Sequence, residues 1–241
     1  MSGSDRAPAR LTPGTAFPHL ALCLTGQTRS GIVPVIAIAT TKGGSGKTTL
    51  AAGLADLLRR QGRSVECIDT DPNRNLHDWL SDPRNGIPCT PVEEEAVIDS
   101  VAGAVERSEY VLIDVAGALQ RGMLYAISAA DFVLIPCKTD RKDVVEAVRT
   151  QELIESAGKM VRRKILHAAV LTQVNRRAQV TGHTRAQLEV MGVPVLSADL
   201  PARTAYQQAS WNGAPLAAAE AREDFGAIAA DVASLMEAEH G

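Results

Sequence analysis

The chain has 241 residues, which is enough for one domain with a full hydrophobic core. Its formal net charge is −3, so the overall charge neither indicates nor excludes a nucleic-acid partner, and any basic surface must be local. The 4 cysteines are scattered without a Cys-x-x-Cys pair, which argues against a disulfide framework or a metal centre, and no apolar run has the length of a transmembrane helix.

The N-terminal segment is rich in Pro, Gly, Ser and Thr. We expect residues 1–32 to form a flexible arm, or to reflect an upstream start codon. Two arginines precede the short apolar run 20–24, as in a secretory signal, but Pro18 interrupts the pattern and no cleavage site is convincing. The rest of the chain, 33–241, is predicted to form a single domain.

A glycine-rich segment follows the first predicted strand. The strand is the apolar run 33–39, and the segment 42–49 reads Lys-Gly-Gly-Ser-Gly-Lys-Thr-Thr. A helical pattern of Ala and Leu then runs over 50–60. A glycine turn between a strand and a helix is typical of a phosphate-binding loop, because its N–H groups and the helix N-terminus face one anion. The alternative is a flexible polar loop with two solvated lysines.

The residue types of this loop suit a magnesium-bound nucleotide. Lys47 would reach the β- and γ-phosphates, and the Thr48 hydroxyl would coordinate Mg²⁺. The predicted nucleotide-binding residues here are Gly43, Gly44, Ser45, Gly46, Lys47, Thr48 and Thr49. The strict P-loop pattern needs glycine where this chain has Thr41, and a second lysine, Lys42, follows it.

Beyond this loop, apolar runs alternate with helical periodicity. We predict strands at 64–68, 110–113, 132–135, 165–171 and 194–196, helices at 75–80, 93–107, 119–130, 143–157, 177–191, 204–211 and 216–237, and a loop at 83–91. This alternation implies right-handed βαβ crossovers. The predicted fold is α/β: a P-loop NTPase with a mostly parallel twisted sheet and helices on both faces. Ligands bind such sheets at the carboxyl ends of the strands.

Two carboxylates follow the second predicted strand. Asp69 and Asp71 are spaced i, i+2, and Pro72 stiffens the turn after them. Carboxylates at this place can face a magnesium–nucleotide site. The alternative is a polar turn between a strand and a helix, with no ligand.

A third carboxylate ends the strand 110–113. Asp114 and Gly117 fit a Walker B strand with a D-x-x-G segment. The strand would hold the carboxylate toward the Mg²⁺ shell through water, since Mg²⁺ dehydrates reluctantly. The N–H of Gly117 would meet the γ-phosphate. An aspartate at the end of a strand is common, so this pattern gains its meaning from the loop before it.

The loop with lysines at both ends resembles the deviant Walker A motif of the ParA/MinD family of ATPases. The resemblance covers about 33–237, includes the late segment Leu200-Pro201-Ala202-Arg203, and is greatest to the compact plasmid-partition ParA proteins of the ParF and VirC kind. It implies ATP and Mg²⁺ as cofactors. The residues it implies are Lys42, Lys47 and Asp71 for catalysis, Thr48 and Asp114 for the metal, and Asp69, Gly117, Asn175 and Pro201 as further nucleotide contacts. The family usually has Gln where this chain has Asn73.

The resemblance also implies partners. ATP-bound subunits would form a face-to-face homodimer in which Lys42 of each reaches the phosphates of the other and neutralises charge in the transition state. Hydrolysis would stay weak until a centromere-binding or cargo-adaptor protein organises the site. The acidic end of the chain lacks a basic amphipathic helix, so no membrane contact is predicted. We expect a cytoplasmic, nucleoid-associated protein.

Partition ATPases of this family imply non-specific DNA binding through phosphate contacts. The candidate DNA-binding residues are Lys159, Arg162, Arg163, Lys164, Arg176, Arg177 and Arg203. The alternative for 159–164 is a solvated helix end, where cations suit the helix dipole. Two other functions stay open: a metabolic P-loop ligase or synthase acting on a small acid, and a VirC-like nucleotide-gated adaptor for DNA processing.

Overall fold

A computed structural model describes residues 34–117, 120–175, 178–216 and 219–240. The predicted arm, 1–32, lies outside these ranges. The strands are β1 (Val35–Ile38), β2 (Val65–Asp69), β3 (Cys89–Pro91), β4 (Tyr110–Asp114), β5 (Phe132–Lys138), β6 (Leu166–Val174) and β7 (Val195–Pro201). The α-helices are α1 (Lys47–Arg60), α2 (Asn75–Leu80), α3 (Val97–Arg107), α4 (Gln120–Ala129), α5 (Arg141–Val161), α6 (Gln179–Val190), α7 (Thr204–Asn212) and α8 (Ala219–His240), and a 3-10 turn at Glu94–Ala96 precedes α3.

The strands form one sheet in the order β3-β2-β4-β1-β5-β6-β7, and every pairing is parallel. Parallel neighbours need crossover connections, which the helices between the strands provide. The carboxyl ends of the strands therefore share one edge of the sheet, and their amino ends share the other. The predicted P-loop NTPase fold is confirmed.

Helices cover both faces of the sheet, so its central strands are apolar on both sides. In β1, Ile36 and Ile38 pack into the layer formed with α1, α2, α7 and α8, whereas Val35 and Ala37 pack into the layer formed with α3 to α6. The first layer is closed by a contact that requires glycine. A Cβ on Gly53 would lie 2.1 Å from the ring of Phe225, so α8 packs directly on the backbone of α1.

The predicted loop at 83–91 is wrong at its carboxyl end. Residues 89–91 form β3, which pairs with β2 so that Cys89 lies opposite Cys67. The strand has only three residues and ends in Pro91, whose missing N–H is tolerated because β3 is the edge of the sheet. Such a short run carries no periodicity that a sequence pattern could detect.

The two strands at the other end of the sheet are longer than predicted. β6 continues past residue 171 to Val174, and β7 continues past residue 196 to Pro201. Polar side chains such as Thr172 and Asp199 end the apolar runs, yet the backbones keep pairing with an irregular register. Among the helices in the described ranges, none combines the length and apolarity that crossing a membrane requires.

Candidate functional site

The glycine-rich loop lies between the carboxyl end of β1 and the start of α1. Gly44 and Gly46 have φ angles of +71° and +97°, a region that L side chains rarely adopt, so glycine is required at both. Within the described ranges, no N–H from Gly43 to Gly46 donates to a backbone carbonyl, and the buried Ser45 Oγ has no hydrogen-bond partner. Unsatisfied donors around an open turn fit an anion such as a nucleotide phosphate.

The inner lysine of the loop is buried. Lys47 is 8% exposed, and its Nζ donates to the carbonyl oxygen of Lys42 at 3.1 Å. Burial lowers the pKa of Lys47, and the nearby Asp114 carboxylate opposes that shift. A Cβ on Gly117 would lie 3.2 Å from Lys47 Nζ and 3.3 Å from the carbonyl oxygen of Thr40. Only glycine therefore lets the D-x-x-G segment approach the loop this closely.

The two predicted metal ligands are in contact. The Thr48 hydroxyl donates to Asp114 Oδ2 at 2.7 Å. Asp114 is 2% exposed, and burial raises its pKa to about 7, against the opposing effect of the Thr48 hydrogen bond. No group of three or more His, Cys, Asp or Glu side chains that could hold a metal occurs in the described ranges. The pair nevertheless fits Mg²⁺, which is usually held by one or two protein oxygens together with phosphates and water.

Asp69 and Asp71 have different surroundings. Asp69 is fully buried: Oδ1 accepts the N–H of Asp71 at 2.9 Å, and Oδ2 accepts the N–H groups of Leu76 and His77 at 2.9 and 3.0 Å. Both of its oxygens thus bind the backbone at the start of α2. Asp71 is half-buried, and its Oδ1 accepts the backbone and side-chain N–H groups of Asn73, both at 2.9 Å. Asp69 therefore anchors the turn that presents Asp71.

The outer lysine is held by α5. Lys42 forms an ion pair with Asp143, which is 3% exposed, and this hydrogen bond raises the pKa of Lys42. The adjacent Thr41 hydroxyl donates to Glu146, one turn further along α5. Two acidic side chains of one helix thus fix the first residues of the loop in the single subunit. The sequence analysis did not assign either of them to the site.

Strands β5 and β6 support the loop from its other side. The Thr172 hydroxyl donates to the carbonyl oxygen of Ser45 at 2.7 Å, and Gln173 Nε2 donates to that of Gly44 at 3.3 Å. A Cβ on Gly44 would lie 4.0 Å from Lys138 Nζ, so this ammonium also lies beside the loop. The sequence analysis missed Lys138, Thr172 and Gln173, because single polar residues at strand ends form no pattern.

An open cleft of about 510 Å³ borders the outer side of the loop. Its lining is formed by the start of the loop and the first turns of α5: Thr41, Lys42, Gly43, Arg141, Lys142, Val145 and Glu146. The cleft leaves Lys42 partly accessible, with 31% of its side chain exposed, whereas Lys47 lies inside.

The candidate DNA-binding residues divide between the two edges of the sheet. Lys159 and Arg162 are exposed at the end of α5, which leads into the amino end of β6, so they lie on the edge opposite the loop. Arg163 donates to the carbonyl oxygens of Ser128 and Ala130, and Lys164 pairs with Glu239 at 2.5 Å. Arg176 and Arg177 lie outside the described residues.

Arg203 follows β7 and lies on the same edge as the loop. Its Nε donates to the buried Asp224 at 2.6 Å, and this contact raises the pKa of Arg203. The guanidinium is therefore engaged inside the protein. Of the other two predicted nucleotide contacts, Asn175 is exposed just after β6 and Pro201 is the half-buried last residue of β7.

Comparison with known proteins agrees with this geometry. The family described as the CobQ/CobB/MinD/ParA nucleotide binding domain matches residues 36–216. The chain belongs to this family. The ParA/MinD resemblance predicted from the loop is thus confirmed, and because ParA and MinD members are ATPases, the expected reaction class is confirmed for the family.

Two curated members of the CobQ/CobB/MinD/ParA family are similar over most of their length. Protein ParA of Rhizobium radiobacter is 34% identical over 180 residues, which cover 72% of this chain and 81% of that protein. The maintenance of carboxysome distribution protein A of Halothiobacillus neapolitanus is 29% identical over 183 residues, 74% of this chain and 84% of that protein. The solved complex of Cyanothece McdA with ATP has a TM-score of 0.67 at 22% identity, and the match covers 82% of this chain and 96% of that one.

Proposed function

We propose that this chain is a positioning ATPase that works as a nucleotide-gated dimer. Its ATP-bound form would bind DNA non-specifically on the nucleoid, and a partner protein that stimulates hydrolysis would return it to the unbound state. The observation that carries the proposal is the contrast between the two lysines of one loop. Lys47 is buried beside Asp114, whereas Lys42 lies at the border of an open cleft.

The inner residues suit binding within one subunit. Lys47 is within electrostatic range of Asp114 and Asp71, and its buried ammonium would bind phosphate oxygens once it releases the Lys42 carbonyl. Thr48 and Asp114 would hold Mg²⁺, which when bound supplies positive charge to the phosphate oxygens. Asp71, presented by the turn that Asp69 anchors, would accept a hydrogen bond from the attacking water and so orient it.

The outer lysine suits contact between subunits. Lys42 cannot serve its own loop and Asp143 at once, because a single ammonium group holds one position at a time. Its accessible side faces a cleft lined by Arg141, Lys142 and Glu146. We propose that a second subunit covers this cleft, that Lys42 then leaves Asp143, and that it neutralises developing negative charge in the partner subunit's site.

The opposite edge of the sheet supports the DNA contact. The side chains of Lys159 and Arg162 are exposed and, within the described ranges, form no ion pair. We propose that they contact DNA phosphates without reading sequence. Arg203 supports this role less, because its guanidinium is bound to the buried Asp224.

The cargo class follows from the relatives. Their names, ParA and maintenance of carboxysome distribution protein A, describe proteins that partition or distribute large objects. We propose a cargo of that class, a plasmid, a chromosome or another large assembly, linked through an adaptor protein.

The test combines oligomeric state with DNA binding. We expect the full chain to sediment as a dimer with ATP and Mg²⁺ and as a monomer with ADP, and to shift plain duplex DNA at low salt only with ATP. The Lys42→Ala variant is the matched control, because it keeps Lys47 but loses the contact between subunits. An absence of ATP-dependent DNA binding would remove the DNA part of the proposal. Fast ATP turnover on a small acid, without DNA or protein, would favour a metabolic enzyme.

A further inference from the structure

A third lysine lies beside the glycine-rich loop. Lys138 is the last residue of β5, and its Nζ is 4.0 Å from the position that a Cβ on Gly44 would occupy. The side chain is half-buried, and within the described ranges its ammonium forms no ion pair or hydrogen bond. Burying part of a lysine without an anionic partner is unfavourable, so this position is explained best by an anion that is bound during function.

The two other lysines of the site are already engaged. Lys42 is paired with Asp143, and Lys47 donates to the Lys42 carbonyl. Asp143 also accepts the backbone N–H of Lys138 at 3.4 Å, which brings it near the backbone of Lys138 without binding its ammonium. The Lys138 side chain extends instead to Gly44.

The surroundings of Gly44 indicate which phosphate an ammonium would meet there. The N-terminus of α1 begins at Lys47 and holds the inner phosphate of a nucleotide in such loops. Gly44 lies three residues earlier, beside Gly43, which borders the open cleft. An ammonium beside Gly44 is therefore nearer to the outermost phosphate than to the phosphate at the helix N-terminus.

We propose that Lys138 binds the terminal phosphate of the triphosphate held by its own subunit, and so makes the site prefer ATP to ADP. This inference rests on nucleotide binding by the loop and does not depend on DNA or cargo. It adds to the two lysines of the loop a cation from β5 that the loop motif does not contain. A lysine contact to phosphate is a charge-assisted hydrogen bond and a point-charge attraction.

Equilibrium binding to the full chain tests the proposal. Calorimetry with Mg²⁺ gives the Kd for a non-hydrolysable ATP analogue and for ADP, using dilute protein whose monomeric state is checked by sedimentation. In Lys138→Met we expect the analogue to bind about 10-fold more weakly, the effect of losing one hydrogen bond to a charged group. The Kd for ADP should change less than about twofold, because ADP lacks the phosphate concerned.

The controls separate this contact from general charge. Lys142→Met removes the same charge from the exposed first turn of α5 and should leave both Kd values within about twofold of the parent. Lys138→Arg keeps a cation at the position and should retain most of the preference for the analogue. Thermal melting without nucleotide shows whether Lys138→Met is folded, and Lys138→Gln repeats the measurement if it is not.

Three results would overturn the assignment. Unchanged Kd values for both nucleotides would mean that Lys138 does not touch phosphate. Equal weakening of both would place its contact on an inner phosphate. An effect seen only at protein concentrations where the chain is dimeric would assign Lys138 to the nucleotide of the partner subunit.

Discussion

The two edges of the sheet carry their charges in different ways. On the carboxyl edge, Lys47, Asp69 and Asp114 are buried, and each is fixed by hydrogen bonds to the loop or to the turns beside it. On the amino edge, Lys159 and Arg162 are exposed and lie in solvent. A buried charge needs specific partners, whereas an exposed charge is interchangeable with its neighbours. We therefore expect single substitutions to act strongly on the first edge and weakly on the second.

The largest effect is expected at Lys47. In Lys47→Ala, the buried ammonium that would bind two phosphate oxygens is lost, and nucleotide affinity should fall by on the order of 100-fold or more. Calorimetric titration with ADP and Mg²⁺ measures this. Lys159→Ala, which removes one lysine from the opposite edge, is the charge-matched control for nucleotide affinity in the absence of DNA. Near-equal Kd values in the two variants would contradict the contrast between the edges.

Lys42→Ala should separate binding from turnover. Because Lys42 is engaged by Asp143 and not by the interior of the loop, we expect the Kd for ATP to change less than about threefold. Partner-stimulated ATP hydrolysis should fall by at least about 10-fold, since a cation that acts across the subunit interface is removed. Steady-state turnover of this variant, unchanged from the parent, would exclude the role of Lys42 in the second subunit.

The amino edge should respond gradually. We expect Lys159→Ala with Arg162→Ala to weaken ATP-dependent binding to plain duplex DNA by roughly 3- to 10-fold, and to reduce the slope of log K against log salt by about two phosphate contacts. Gel shifts over a salt series measure both quantities. Arg203→Ala should differ, because its guanidinium binds Asp224: we expect a lower melting temperature with an unchanged salt slope.

A smaller effect is expected from the contact that holds the outer lysine. Asp143→Asn removes the charge that pairs with Lys42, so ATP should drive dimerisation at a protein concentration a few-fold lower than in the parent chain. Sedimentation velocity with a non-hydrolysable ATP analogue measures the shift. Glu146→Gln is the control on the same helix, since it contacts Thr41 and leaves Lys42 paired. A weaker dimer in Asp143→Asn would mean that this carboxylate serves the dimer instead.

The smallest effect concerns pH and a residue of the amino edge. Burial lowers the pKa of His167 below its ordinary value of 6.5, and its Nε2 lies 3.2 Å from Gln151 Oε1. The unfolded state then binds a proton that the folded state does not. Stability should fall as pH drops from about 6.5 through the folded pKa, and should not change above it. His167→Gln should remove this component, to within about 1 kcal/mol, in urea unfolding at pH 5 and 7.

The sequence predicted the parts of the site whose chemistry fixes their residue type. The loop 42–49, the carboxylate of Asp114 and the glycine at 117 recur at fixed spacing, because a phosphate, a metal and a close backbone approach each admit few alternatives. Lys138 and Thr172 escaped, since they contact the loop across roughly 100 or more positions of sequence and from strand ends without a pattern. The fold was predicted from its apolar runs, and β3 was missed because three edge residues carry none.

The two hydrogen bonds from β6 to the loop have a consequence for how an anion is captured. In a trans peptide unit the carbonyl and the following N–H point in opposite directions. Thr172 and Gln173 hold the carbonyls of Ser45 and Gly44, and so turn the N–H groups of Gly46 and Ser45 away from β6 before any ligand arrives. The peptide planes need not reorient on binding. The entropy of fixing them was already lost when the chain folded, and little of the affinity is spent on ordering the receptor.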